Sequence, residues 1–149
     1  MVNSQSCEND GSGKGAGVDL NRNFGAFWIP RTDKCDSQYG GRTPFSEPET
    51  KTVRDYINRI KMDSSLKAAI DVHSYSEVFL IPDKIASPAK KDNLIRIGDE
   101  MAKAIRKVDS TADYSTATVR DFYGKDSCNP IYIGGAEGNS MDWFFHGAG

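Results

Sequence analysis

The stretch from Pro88 to about Val108 sets the first constraint on the fold. Leu94, Ile97, Met101, Ile105 and Val108 fall on one face at helical spacing, so an amphipathic helix is predicted that must cover an apolar surface. A second helix is predicted after Ser46. Glu49 lies three residues on as a capping box, and Pro48 occupies the first turn, where its missing N–H costs nothing. Val53, Tyr56, Ile57 and Ile60 then form one apolar stripe. Between and beyond these helices, Leu66 to His73 reads as a buried strand, Val78 to Ile81 as a strand stopped by Pro82, and Thr116 to Val119 as a short strand. Strands alternating with helices predict an α/β sheet.

The rest of the chain reads as loop. Residues 1–16 are rich in Asn, Ser, Asp and Gly; a short strand-like apolar patch runs from Val18 to Phe24; another loop follows from Gly25 to about Thr43. Beyond Asp121, Gly, Asn and aromatic residues leave no period. There is no repeat and no linker between domains. Two or three strands are a thin sheet for two long helices, and the chain starts in a loop and stops at HGAG. It reads as an excerpt of a larger domain.

With 149 residues and a formal charge of −2, the chain offers no electrostatic case for nucleic acid or a membrane surface as partner. No apolar run is long enough to span a bilayer, and the opening MVNSQSCENDGSGKG has no signal-peptide core. None of the three cysteines, Cys7, Cys35 and Cys128, forms a C-x-x-C pair, which argues against a structural zinc site or a dithiol redox motif. Cys7 and Cys35 flank a Gly-rich irregular stretch where a disulfide would help most; two buried thiols are the alternative.

Three places carry candidate chemistry. In GVDLNRNF, residues 17–24, Arg22 offers a planar fork matched to a carboxylate, and Asn21 can add an amide donor to the same oxygens. The plainer alternative is a surface arginine in a salt bridge. His73 closes a predicted strand, where ligands of α/β sheets commonly sit, and neutral imidazole is the commonest metal ligand. The only other histidine, His146, lies near the C-terminus, and no H-E-x-x-H is present. A complete catalytic zinc site therefore cannot be assembled from this chain alone. Tyr132 precedes the glycine-rich IGGAEGNS, a loop that could close a tyrosine over a substrate.

Taken together, these segments resemble the zinc carboxypeptidases of the carboxypeptidase A/B type, in that family's order and through nearly the whole chain. GVDLNRNF is similar to the strand bearing the substrate-carboxylate Asn and Arg. YGGRTPFSEPET (39–50) resembles the helix-entry signature, and IDVHSYSEVFLIP the segment holding the third zinc ligand. Tyr132 with SMDWFF resembles the mobile-tyrosine loop and specificity pocket. The resemblance implies an α/β fold that is part of a mixed β-sheet with flanking helices, incomplete at both ends, with residues 1–149 as the central portion of one catalytic domain. It implies that Asn21 and Arg22 bind the terminal carboxylate of a peptide or protein, with Ser74, Tyr75, Tyr132 and Met141 also on the substrate. His73 would be one Zn²⁺ ligand, and Asp19 would orient another zinc-bound histidine. In the family a His₂Glu zinc site, for which the carboxypeptidase A enzyme is the standard example, activates a water and polarises the scissile carbonyl.

The same resemblance places an H-x-x-E segment with the other two zinc ligands, and a carbonyl-polarising arginine, before Met1. It places the general-base glutamate beyond Gly149. It also implies a Cys7–Cys35 disulfide with Cys128 free, a secreted, extracellular or lysosomal location, and allows a pro-segment in the full-length protein. Met141, Leu80 and Ile131 match apolar pocket positions, which implies a preference for aromatic or aliphatic C-terminal residues. Lys84 and Glu137 pull toward acidic and basic ones respectively. The Tyr132-to-Asp142 spacing is longer than in the pancreatic enzymes. Two other readings stand beside this one: a zinc deacylase of the aspartoacylase kind, and a non-catalytic module that binds peptide C-termini.

Overall fold

The computed structural model describes residues 17–63, 66–123 and 137–147. They divide into two compact units, one within residues 1–71 and 136–149, the other within 72–135.

In the first unit the segment expected to be strand-like is a turn. Leu20–Arg22 form one turn of 3-10 helix, because the Asp19 carboxylate accepts the Asn21 amide at 3.0 Å and draws the chain into a coil. The turn is followed by Asn23, which is wholly buried. Its Nδ2 donates toward the Gly40 carbonyl at 2.7 Å, the Thr43 carbonyl at 3.0 Å and Ser46 Oγ at 2.9 Å. Its Oδ1 accepts from the Glu47 amide at 3.2 Å and from Thr50 Oγ1 at 2.6 Å.

Helix α1 spans Pro48–Asp63 with Pro48 in its first turn. The predicted Ser46 cap is corrected here. The helix starts at Pro48, and Ser46 Oγ donates instead to the Glu47 carboxylate at 2.7 Å. The orphan amide of Glu47 is met by Asn23 from a distant loop, which is a cap that local sequence reading does not see. The predicted apolar stripe also narrows. Only Ile57 is buried; Tyr56 and Val53 are exposed. Ile57 packs with Phe24 and Trp143, joined by Ala26, Phe45, Leu66 and Phe144. Phe24, Phe45 and Trp143 meet at centroid distances of 5.4 to 5.8 Å, two of the three pairs edge-on, the arrangement that aromatic quadrupoles favour. The Arg54 guanidinium lies over Phe45 at 5.2 Å.

The predicted strand Leu66–His73 is not one. No ladder among the described residues includes it, and Ile70 and Val72 are 68% and 85% exposed. Alternating apolar side chains give a segment the propensity to extend, but a strand exists only where a second backbone lies alongside.

In the second unit, β1 (Val78–Ile81) pairs in parallel with β2 (Ser115–Thr118), with Val78 opposite Ser115 and Ile81 opposite Thr118. Parallel neighbours need a crossover, and α2 (Pro88–Val108) supplies it with the predicted bounds. Ser87 caps α2 by accepting the Lys90 amide. The buried face of α2 runs through the predicted stripe: Leu94, Met101 and Ile105 are half-buried in line with the buried Gly98, while Ile97 and Val108 are exposed. A Cβ on Gly98 would lie 2.5 Å from Thr116 Oγ1, so the missing side chain is what brings α2 down onto β2. The predicted strand Thr116–Val119 begins and ends one residue earlier. Thr118 is its last member, and Thr118 Oγ1 accepts the Asp121 amide at 3.0 Å to open the short helix α3 (Val119–Tyr123). The architecture is α/β, as expected, with a small parallel sheet and flanking helices.

Candidate functional site

Arg22 ends the 3-10 turn, and its guanidinium is largely enclosed, with 19% of the side chain exposed. One terminal nitrogen donates to the Asn21 carbonyl at 2.7 Å. Nε is buried without a hydrogen-bond partner, and the Asp19 carboxylate stands 4.0 Å from it, beyond bonding reach. A buried cationic donor in that state is poised for an anion, because a carboxylate would replace the hydration it has lost.

The backbone of Arg22 is held from two sides. A Cβ built on Gly40 or on Gly138 would each come within 2.4 Å of the Arg22 carbonyl oxygen, so both positions admit only glycine against it. Gly138 also has φ +74°, a conformation that side chains disfavour. The Phe24 amide donates to the Gly138 carbonyl at 2.8 Å, and the Gly138 amide to the Ala26 carbonyl at 3.1 Å. Two residues on, the Ser140 amide donates to Asn21 Oδ1 at 2.9 Å. Asn21 and Arg22 are thus brought together with the segment 137–142.

That segment ends in α4 (Ser140–Asp142), capped by Asn139, whose Oδ1 accepts the Asp142 amide at 2.7 Å. Met141 is half-buried between the buried Ser140 and Asp142. Glu137 carries a buried carboxylate oxygen, Oε2, that has no hydrogen-bond partner. Asp19 receives the Asn21 amide and accepts nothing from an imidazole among the bonds described. Cys35 is disulfide-bonded, and both remaining cysteines, Cys7 and Cys128, lie outside the described residues, as do Tyr132 and Ile131.

His73, Ser74 and Tyr75 belong to the second unit, where all three are exposed and a cis peptide joins Ser74 to Tyr75. Leu80 is half-buried on β1, and Lys84 is exposed just beyond it. His146, in the first unit, stands exposed between the ring edges of Phe27 and Phe145. Among the described residues no group of three His, Cys, Asp or Glu side chains could hold a metal ion.

Sequence reading passed over Asn23, which fastens the turn carrying Arg22 to the start of α1. The signals were a second asparagine directly after the arginine and the Gly40–Gly41 pair that a closely approaching backbone requires.

The sequence model of the family described as zinc carboxypeptidase matches residues 2–149. Among curated relatives, the chain is 32% identical to the inactive metallocarboxypeptidase ECM14 of Saccharomyces cerevisiae, over 87% of this chain and 30% of that protein. It is 33% identical to carboxypeptidase B2 of Mus musculus, over 87% of this chain and 29% of that protein. The crystal structure of carboxypeptidase A from Helicoverpa armigera superposes with a TM-score of 0.66 at 32% identity, covering 85% of this chain and 29% of that one. The chain thus spans about a third or less of the length of these proteins.

Proposed function

This chain belongs to the zinc carboxypeptidase family, and on that premise we propose that the full-length protein hydrolyses the last peptide bond of peptides and proteins, with Asn21 and Arg22 binding the terminal carboxylate. The observation that carries this reading is the buried Nε of Arg22, which makes no hydrogen bond and has the Asp19 carboxylate only at 4.0 Å, beside the bonded carboxamide of Asn21. A guanidinium fork and an amide recognise a carboxylate bidentately, and doing so in an enclosed place makes each bond stronger than in water. Residues 1–149 then form the central portion of the catalytic domain. His73 is one of three zinc ligands, Ser74, Tyr75 and Tyr132 meet the substrate, and Asp19 orients another zinc-bound histidine. The other two ligands and the general-base glutamate come from outside this chain.

Met141 lines the pocket for the C-terminal side chain. A flexible apolar side chain accommodates Phe or Leu and cannot neutralise a buried cation, so the proposed preference is aromatic or aliphatic. The Cys35 disulfide closes onto Cys7, which favours an oxidising, extracellular or lysosomal setting. No helix among the described residues is long and apolar enough to cross a membrane.

Competing blocked dipeptides ending in Phe, Glu and Lys, given to the zinc-loaded full-length protein, test the reading. Phe is expected to be released fastest. Release of Lys first would displace Met141 from the pocket and bring Glu137 into it. The 149-residue chain assayed alone with zinc is expected to show no turnover, since it supplies one ligand of three; ordinary enzymatic rates would overturn the assignment of the missing groups. Peptide mapping without reduction is expected to recover Cys7 joined to Cys35.

A second reading has its own support. A relative as similar as 32% carries the word inactive in its name. If the zinc-loaded full-length protein binds C-terminal peptides in an Arg22-dependent way and releases nothing, it is a non-catalytic reader of C-termini. The comparisons name carboxypeptidases, and the deacylase reading gains nothing from them.

A further inference from the structure

We propose that Ser140 and Asp71 are positioning residues for the carboxylate clamp and act on it through Asn21; the inference rests on the reading of Asn21 and Arg22 given above. A carboxamide is ambivalent toward an anion. Its NH₂ end attracts a carboxylate and its oxygen end repels one, so a clamp built on asparagine works only if something fixes which end faces the ligand. Here the Ser140 backbone amide lies 2.9 Å from the Asn21 side chain. A backbone N–H can only donate, so the atom it meets has to be the carboxamide oxygen, and the NH₂ end is turned the other way.

Ser140 itself is 4% exposed, and its hydroxyl donates to the Asp71 carboxylate. A hydroxyl bond to a carboxylate is of the stronger kind. This one holds the first residue of α4 against a segment nearly seventy positions away in the chain, |i−j| being 69. On the other side of Ser140, Gly138 is fixed to Phe24 and Ala26 through its own backbone. The amide that orients Asn21 is therefore anchored before it by the Gly138 backbone pair and at Ser140 itself by Asp71. Removing the Asp71 anchor lets the Ser140 amide shift from Asn21, and the carboxamide then rotates among orientations, of which only one binds an anion.

The experiment uses the zinc-loaded full-length enzyme, a blocked dipeptide ending in Phe as substrate, and 3-phenylpropanoate as a simple carboxylate probe. Ser140→Ala and Asp71→Ala are each expected to raise KM and the inhibition constant of the probe roughly three- to tenfold, the size of one lost hydrogen bond, with kcat moved far less. The double variant should be no worse than the worse single one, because both act on one bond. Asp71→Asn keeps an acceptor for the Ser140 hydroxyl and should restore most of the binding. Wild-type constants for Ser140→Ala, full additivity in the double variant, or a loss confined to kcat would each overturn the proposal. Should Ser140→Ala fail to fold, equal binding by Asp71→Ala and Asp71→Asn overturns it, and a deficit in Asp71→Ala alone supports it. Asn21→Ala separates the two levels. If it leaves the probe's inhibition constant unchanged, the clamp reading itself fails and this inference falls with it; if it weakens the probe while Ser140→Ala and Asp71→Ala do not, only the positioning inference fails.

Discussion

In the unit that carries Arg22, the backbone follows an irregular path, and buried side chains bond to it: Asn23 alone reaches Gly40, Thr43 and Glu47. In the unit that carries His73, the backbone bonds mainly to itself, through one parallel ladder and a long helix, and side-chain ion pairs such as Lys103 with Glu100 lie on the surface. The contrast follows from periodicity. A repeating backbone satisfies its own donors and acceptors, so sequence there can vary as long as the pattern holds. An irregular one needs a dedicated partner for each buried group, and every such partner becomes hard to replace.

Substitutions in the two units should expose that difference, and the largest effect is expected at the clamp. In the full-length enzyme, Arg22→Ala should weaken substrates and product-like carboxylates alike by about 2–5 kcal/mol, with Arg22→Lys recovering only part because an ammonium lacks the fork. An unchanged kcat/KM for Arg22→Ala would make the arginine structural. Next comes Asn23→Ala, which takes the acceptor from the Glu47 amide and removes the bonds of a wholly buried side chain to Gly40, Thr43, Ser46 and Thr50; a loss of about 3 kcal/mol in urea unfolding is expected. A loss below about 1 kcal/mol, the ordinary cost of a surface change, would remove the distinction between the units.

In the second unit the effects shrink and one reverses sign. Gly98→Ala puts a methyl 2.5 Å from Thr116 Oγ1 and 2.8 Å from Thr116 Cγ2; a β-branched side chain cannot move both aside, so about 1–3 kcal/mol should be lost. Thr116→Val should instead stabilise by about 1 kcal/mol, since Thr116 Oγ1 is buried without a partner and a methyl needs none. Thermal unfolding of both variants checks the pair. The smallest effect concerns Asp109 beyond the end of α2. The Thr111 hydroxyl and then the Thr111 amide hold its carboxyl below the ordinary aspartate value. A lowered carboxyl stabilises the folded state above its ordinary pKa, and that contribution fades as pH falls through the lowered one. Titration followed by NMR should show Thr111→Val moving the Asp109 midpoint upward.

What could be read in advance divides along the same line. Helix α2, with its bounds, and strand β1 were legible because their signals are local: Ser87 before Pro88, an apolar run stopped by Pro82. Asn21 and Arg22, the residues of the proposed clamp, stood out in the sequence through their chemistry and the resemblance. Their geometry did not. The turn at Leu20–Arg22 competes with an extended segment through a single Asx bond, and the true cap of α1 arrives from Asn23, |i−j| being 24 from Glu47. The Leu66–His73 segment carries a strand's pattern, which says that it can pair and not that a neighbour lies alongside. The face of α2 was legible in Leu94, Met101 and Ile105, but the residue on which it closes was not, for a related reason. Hydrophobic period counts apolar side chains, and the closest approach of α2 to β2 is made where there is no side chain at all.

The hydrogen bond from Ser140 to Asn21 spans 119 positions of sequence. During synthesis the chain emerges from its amino end at about 5–20 residues per second, so Arg22 is outside for many seconds before its companion asparagine can be oriented. Closing so wide a loop costs only slightly more than closing a short one, since the entropy grows with the logarithm of length; what delays the event is the arrival of the far end. A nascent polypeptide therefore exposes a guanidinium without a finished receptor around it. On the proposed reading of Asn21 and Arg22, recognition of other chains' termini is withheld until the ribosome has delivered the segment that orients Asn21.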